Sequence, residues 1–215
     1  MHPQFIIYVL LLVIAASASI AQWKSLSRGE RFFSVLLMIT VVQETVAHVM
    51  SIVYRNNLPT YHFYSPVELA LTSLYLSDTT SFLHKRKMGY WIAGIAVGAG
   101  ILNTTLFQPL EVFNTYYLLF ESTIIIVLCL LSFYEMALGE EGLPYRSAQF
   151  WIVVFLLLYW SSTFFSWGVY NLLPSPRPPR FAIIGTILTA ANMLFYAGVA
   201  VIFLSYGKLQ QKEGR

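Results

Sequence analysis

The chain has 215 residues, of which 57% are hydrophobic, 16% aromatic and only 11% charged, against about 25% charged in a soluble domain. A water-soluble fold is excluded, and the net charge of +3, from 13 Lys+Arg against 10 Asp+Glu, contains no basic block able to track a nucleic-acid backbone. The single cysteine, Cys129, sits in an apolar run, which excludes an intrachain disulfide and a paired-cysteine metal site.

A bilayer crossing needs about 20 apolar residues. Seven stretches meet that length, at about 4–22, 31–54, 60–82, 88–107, 112–134, 148–171 and 181–206. The expected fold is therefore an all-α integral membrane protein, a single seven-helix transmembrane domain over 1–215. In the first stretch, Ala15-Ala16-Ser17-Ala18-Ser19 resembles the cleavage region of a signal peptide, but no Lys or Arg precedes the apolar run. The basic residues follow it instead, which makes it a retained helix with its N-terminus outside. The third stretch is the least uniform, with His62, Pro66, Glu68 and Asp78 inside it. In the fourth, Gly94 and Gly98 with Gly100 allow another helix to approach closely, one of the same bundle or that of a second copy in a homodimer. Trp23, Tyr54, Tyr90, Trp91, Trp151 and Tyr170 stand near span ends as interfacial anchors.

Seven crossings with the N-terminus outside put ten of the 13 positive residues on the inner side, leaving Arg55, Arg177 and Arg180 outside. That asymmetry predicts an outer N-terminus and a cytoplasmic C-terminus, and the expected location is a bacterial-type inner membrane. Two connections stand out. The acidic one between Glu135 and Arg146 is a candidate contact for a cytosolic partner, and the one from Leu172 to Arg180, with four prolines, is a stiff spacer or a rim. No repeat relates the two halves of the chain, which weakens a transporter reading.

Ionisable residues inside a span are expensive and mark pockets or pathways. Here they fall on helical faces: Thr40, Glu44 and His48 in the second span; Tyr64, Glu68, Thr72 and Tyr75 in the third; Asn114, Tyr117 and Glu121 in the fifth; Ser162, Ser166 and Tyr170 in the sixth; Thr189, Asn192 and Tyr196 in the seventh. At about 1.5 Å per residue, Glu44, Glu68, Glu121 and Asn192 lie roughly 12–17 Å from the outer surface. An outer-half pocket closed below fits this distribution better than a channel. Three acids at one depth cannot all be ionised cheaply, so one is protonated, paired with histidine or bound to a cation. The alternative is that Glu44 and His48 pair within their helix while the other groups act as interhelical glue.

Glu44, His48, His62 and Glu68 form a chemically adequate mixed nitrogen and oxygen set for a divalent metal, although the HExxH spacing is absent. Enzyme signatures are thin, because no serine stands in GxSxG and the only aspartate, Asp78, lies at the other end of span three. Catalysis would have to use Glu44, His48 and Glu68. Beside Lys85-Arg86-Lys87, His84 reads as part of a membrane-surface anchor.

The architecture resembles that of seven-helix receptors and rhodopsins without their motifs: no lysine lies within span seven, and Asn192-Met-Leu-Phe-Tyr196 is not NPxxY. The segment from Asn57 to Glu68, with its Tyr64-x-Pro66-x-Glu68 pattern, and the segment from Asn192 to Tyr196 resemble uncharacterised small bacterial seven-helix integral membrane proteins. That resemblance implies a sensory role, since such proteins are encoded near sensor kinases. The expected function is a membrane sensor that binds a small polar or cationic ligand through Glu44, His48, Glu68, Glu121, Tyr64, Tyr117 and Asn192 and signals to a partner protein. A proton- or ion-coupled small-molecule transporter and a membrane-embedded lipid-modifying enzyme are the competing readings. No cofactor is assigned.

Overall fold

The computed structural model describes residues 3–138, 145, 147–172 and 178–212. Among them the regular structure is helical throughout. In chain order the helices are α1 (Pro3–Ala21), α2 (Arg28–Val53), α3 (Leu58–Thr79), α4 (Ser81–Lys85), α5 (Met88–Leu102), α6 (Thr115–Leu138), α7 (Ala148–Leu172), α8 (Pro178–Leu204) and α9 (Tyr206–Lys212). A π-helical turn, Asn103–Phe107, continues α5. Most of the two unusual connections, the acidic one and the proline-rich one, lies outside the described residues.

Six of these helices are long and apolar enough to cross a membrane. In each of them only 17–39% of the most apolar stretch is buried against the rest of the chain. Side chains such as Val42, Ile52, Trp91 and Leu106 are more than 60% exposed, a surface that water does not tolerate over six helices. The protein is membrane-embedded. The remaining long helix, α3, has 22 residues and so measures about 33 Å, but its polar residues set it apart from the six.

Local signals explain where the helices differ from the expected spans. Ser27 and Glu30 form a capping box: the Ser27 hydroxyl accepts from the Glu30 N–H at 3.3 Å, and the Ser27 N–H donates to Glu30 Oε2 at 2.8 Å. This starts α2 three residues earlier than hydropathy alone suggests. Thr80 takes an extended conformation and ends α3, so that Ser81–Lys85 forms a separate helical turn. The start of α6 moves from 112 to Thr115 because Gln108 holds its first turn: its Nε2 donates to Thr115 Oγ1 at 3.0 Å, and its Oε1 accepts from the Tyr116 N–H at 2.9 Å.

The chain divides into two compact units, Leu26–Ile124 (the central unit) and Met1–Ser25 with Ile125–Arg215 (the terminal unit). In the terminal unit α8 packs along α1 and α7. Ala15, Ala16, Ala18 and Ser19 of α1 are buried, so the small residues that resemble a cleavage site form a close-packing face. Tyr8 and Tyr196 bring their rings to 5.6 Å across α1 and α8.

In the central unit α3 packs along both α2 and α5. Of the expected small residues only Gly100 makes the close approach, and Gly89 joins it. A Cβ on Gly100 would lie 2.5 Å from Pro66 Cγ, and one on Gly89 would lie 2.8 Å from the Ser73 carbonyl oxygen. At Gly94 and Gly98 a Cβ would meet nothing within 4 Å, so no helix of the described chain uses that stripe. Gly100→Ala is therefore expected to cost about 1–3 kcal/mol by overpacking, read as a lower melting temperature in detergent. Gly98→Ala should be neutral or stabilise by up to about 1 kcal/mol, and adding Pro66→Ala to Gly100→Ala should restore most of the loss.

Candidate functional site

Within the central unit, α2, α3 and the start of α6 carry the three carboxylates singled out by their positions along the chain. Glu44 and Glu68 are half-buried and Glu121 is fully buried. Glu68 lies within electrostatic range of both Glu44 and Glu121 and hydrogen-bonds to Tyr64. Tyr61 lies within electrostatic range of Glu44, and Tyr117 within that of Glu121 and Glu68. Among the described residues neither carboxylate oxygen of Glu121 has a hydrogen-bond partner, an expensive arrangement in a low-dielectric interior.

Proton counting shows how Glu68 connects to α2. The Tyr64 hydroxyl lies 2.7 Å from Thr40 Oγ1, which in turn lies 2.8 Å from the Leu36 carbonyl oxygen. Each hydroxyl owns one proton. If Thr40 donates to Leu36, Tyr64 donates to Thr40, and the Tyr64–Glu68 bond then requires a proton on Glu68. If Tyr64 donates to an ionised Glu68, Thr40 must turn its proton from Leu36 to Tyr64. The charge state of a group on α3 thereby selects the orientation of a hydroxyl on α2.

Other expected site residues hydrogen-bond to neighbouring elements. His62, 5% exposed, has Nδ1 at 3.0 Å from Thr104 Oγ1 and Nε2 at 2.8 Å from the Val112 carbonyl oxygen. A carbonyl only accepts, so Nε2 carries the proton and donates, and the ring ties α3 to the π-helical turn and to the segment before α6. This occupies the nitrogens that a metal would need. Among the described residues no three His, Cys, Asp or Glu side chains form a group able to hold one ion, so Glu44, His48, His62 and Glu68 do not converge as the metal set that their spacing allows. The Tyr117 hydroxyl donates to the Ala96 carbonyl at 3.1 Å, so its proton is committed to α5. Asn114 Nδ2 donates to the Tyr61 carbonyl at 3.2 Å and to Ser65 Oγ at 3.3 Å, while its Oδ1 is an unpartnered acceptor. Half-buried His48 follows Glu44 by one turn on α2.

Asn192 belongs to the terminal unit, where its Nδ2 donates to the Leu188 carbonyl of its own helix at 3.0 Å. Gln43, Thr60, Thr104 and Gln108 were not apparent as a network from spacing alone. Gln43 Nε2 donates to Thr60 Oγ1 at 2.9 Å, which links α2 to the first turn of α3. The one sequence signal for Gln108 was an isolated amide in a short connection followed by Pro109.

Comparison with protein-family models, with curated proteins and with solved structures finds no match to this chain.

His62→Ala, which strands the Thr104 hydroxyl and the Val112 carbonyl, is expected to destabilise the fold by about 1–3 kcal/mol. The loss should be equal with and without added zinc when thermal unfolding is followed in detergent. A zinc-dependent loss would return His62 to a ligand role.

Proposed function

We propose that this protein is a receptor-like membrane sensor in which Glu44, Glu68 and Glu121 take a small cationic ligand, with His48 and Tyr64 beside them. The observation that carries the reading is the Glu121 carboxylate, fully buried, without a hydrogen-bond partner among the described residues, and within electrostatic range of Glu68. A buried carboxylate without a partner is matched by a bound cation or by a proton, and a protonated amine brings both. Binding a cation favours ionised Glu68. Proton counting then turns Thr40 from Leu36 to Tyr64, a small change at the α2–α3 contact that a partner protein can read.

In this reading α3 is a seventh span, the N-terminus is outside and the C-terminus is cytoplasmic. Support comes from its length of 22 residues and from the distribution of Lys and Arg along the chain. The Gly94 and Gly98 face, uncovered in the described chain, supports self-association through α5.

Native mass spectrometry of gently purified protein tests the ligand site. Wild type should carry a bound mass that Glu68→Gln/Glu121→Gln loses, while Tyr64→Phe should keep the mass and lose the downstream response. Bare protein in every sample would overturn the site. Flux of the identified ligand in proteoliposomes would replace the sensor with an ion-coupled transporter. For topology, an impermeant maleimide applied to intact cells should label Asn56→Cys and spare Ser81→Cys, and the reverse would invert the orientation.

A further inference from the structure

At the end of the central unit where α2 and α5 begin and α3 ends, the helices enclose a cleft of about 360 Å³, within the range of small-molecule sites. Two glycines lie beside it. A Cβ on Gly29 would lie 2.8 Å from Thr79 Cγ2, and one on Gly89 would lie 2.6 Å from Ser77 Cβ, so α2 and α5 both press against the last turns of α3. Arg28 and Tyr90, next to those glycines, and Lys87, two residues before Gly89, line the cleft together with Asp78 and His84.

The cleft carries more cationic than anionic side chains. Asp78 is its one carboxylate, and Oδ1 of that group lies 3.2 Å from His84 Nδ1. Among the described residues neither Arg28 nor Lys87 has a carboxylate partner. Two permanent cations against one carboxylate leave a positive surplus, larger when His84 is protonated. The Arg28 guanidinium hydrogen-bonds the Tyr90 hydroxyl and lies 5.7 Å from the Phe32 ring centroid, which orients it toward the cleft. Lys87 adopts a left-handed backbone, φ 52° and ψ 32°, which residues with a Cβ seldom occupy. Lys87 is the N-cap of α5, a 15-residue helix, and among the described residues its start has no side-chain cap. Exposed Phe82 and Trp91 stand in the adjoining α4 and α5 segments, as in an aromatic belt at headgroup level, while Leu74 and Phe32 make part of the lining apolar.

We propose that this cleft binds the phosphate of an anionic phospholipid headgroup, held by Arg28, Lys87 and the Tyr90 hydroxyl. The site rests on the membrane-embedded fold and not on the sensor reading. A free phosphate shares the chemistry, but the apolar floor and aromatic surroundings favour a phosphate attached to acyl chains.

The test uses the full chain, delipidated in neutral detergent and titrated with short-chain phosphatidylglycerol, short-chain phosphatidylcholine or inorganic phosphate while thermal unfolding is followed. Phosphatidylglycerol should raise the melting temperature of wild type more than either other probe. Arg28→Gln/Lys87→Asn should weaken that response at least tenfold, with asparagine chosen because it tolerates the left-handed backbone. Lys85→Gln/Arg86→Gln removes the same charge outside the cleft and should change the response less than twofold. Tyr90→Phe, which keeps every charge, should weaken it severalfold, so the site remains testable if the double variant folds poorly. Equal losses in the two double variants would overturn the site in favour of diffuse surface charge. An equal response to inorganic phosphate would overturn the lipid assignment.

Discussion

A helix carrying His62, Ser65, Glu68, Thr72, Ser73 and Ser77 is unstable alone in hydrocarbon, and the central unit is organised around that constraint. α3 lies between α2 and α5, and several of its polar side chains find partners around it: Tyr64 on Thr40, Ser73 on the Gly89 carbonyl, His62 on Thr104 and the Val112 carbonyl, and Ser65 on Asn114. Gly89 and Gly100 let α5 come close enough for Ser73 and Pro66 to pack directly against its backbone. Pro66 removes a donor from the helix ladder, and its ring is seated where only glycine leaves room, which makes the proline a packing element as well as an interruption.

The polar groups of this unit fall into two kinds. His62, Gln108, Asn114 and Tyr117 use their donors on named carbonyls and hydroxyls, and their chemistry is consumed in joining elements. Glu121 uses neither oxygen, and Glu68 reaches Tyr64 while facing two other carboxylates. A folded chain retains such an arrangement only at a cost, and that asymmetry separates a site from interhelical glue more sharply than a count of polar residues does. The Tyr64 and Thr40 hydroxyls link the two kinds, because each has a single proton to place.

The central unit also separates charge along α3. Its carboxylate-bearing middle faces Glu44 and Glu121, whereas its last turn contributes Asp78 to a cleft dominated by Arg28 and Lys87. α2 carries both kinds of group as well, with Arg28 at its start and Glu44 sixteen residues later. Chemistry suited to a cation and chemistry suited to an anion are therefore joined by the same pair of packed helices.

Much of the architecture was determined by the sequence alone. Hydrophobic runs of bilayer length define six of the long helices, since covalent length and side-chain transfer energy are local properties that no partner is needed to express. The Ser27–Glu30 capping box and the Thr80 break were also local, although hydropathy windows are too coarse to resolve them. The helical spacing of Glu44, Glu68 and Glu121 was equally legible. Only the tertiary structure decided what those positions meet. It committed the Tyr117 proton to Ala96 and both His62 nitrogens to neutral partners, placed Asn192 in a different unit from the carboxylates, and, of the expected small residues of α5, gave the close-packing role to Gly100 alone, with Gly89 beside it. It also turned His84 and Lys87, read as part of a surface anchor, into the wall of a cleft that Arg28 completes. The physical reason is common to all of these: a hydrogen bond, a glycine contact or a charge surplus belongs to a pair of surfaces, and a linear sequence specifies each surface without stating which other one it will face.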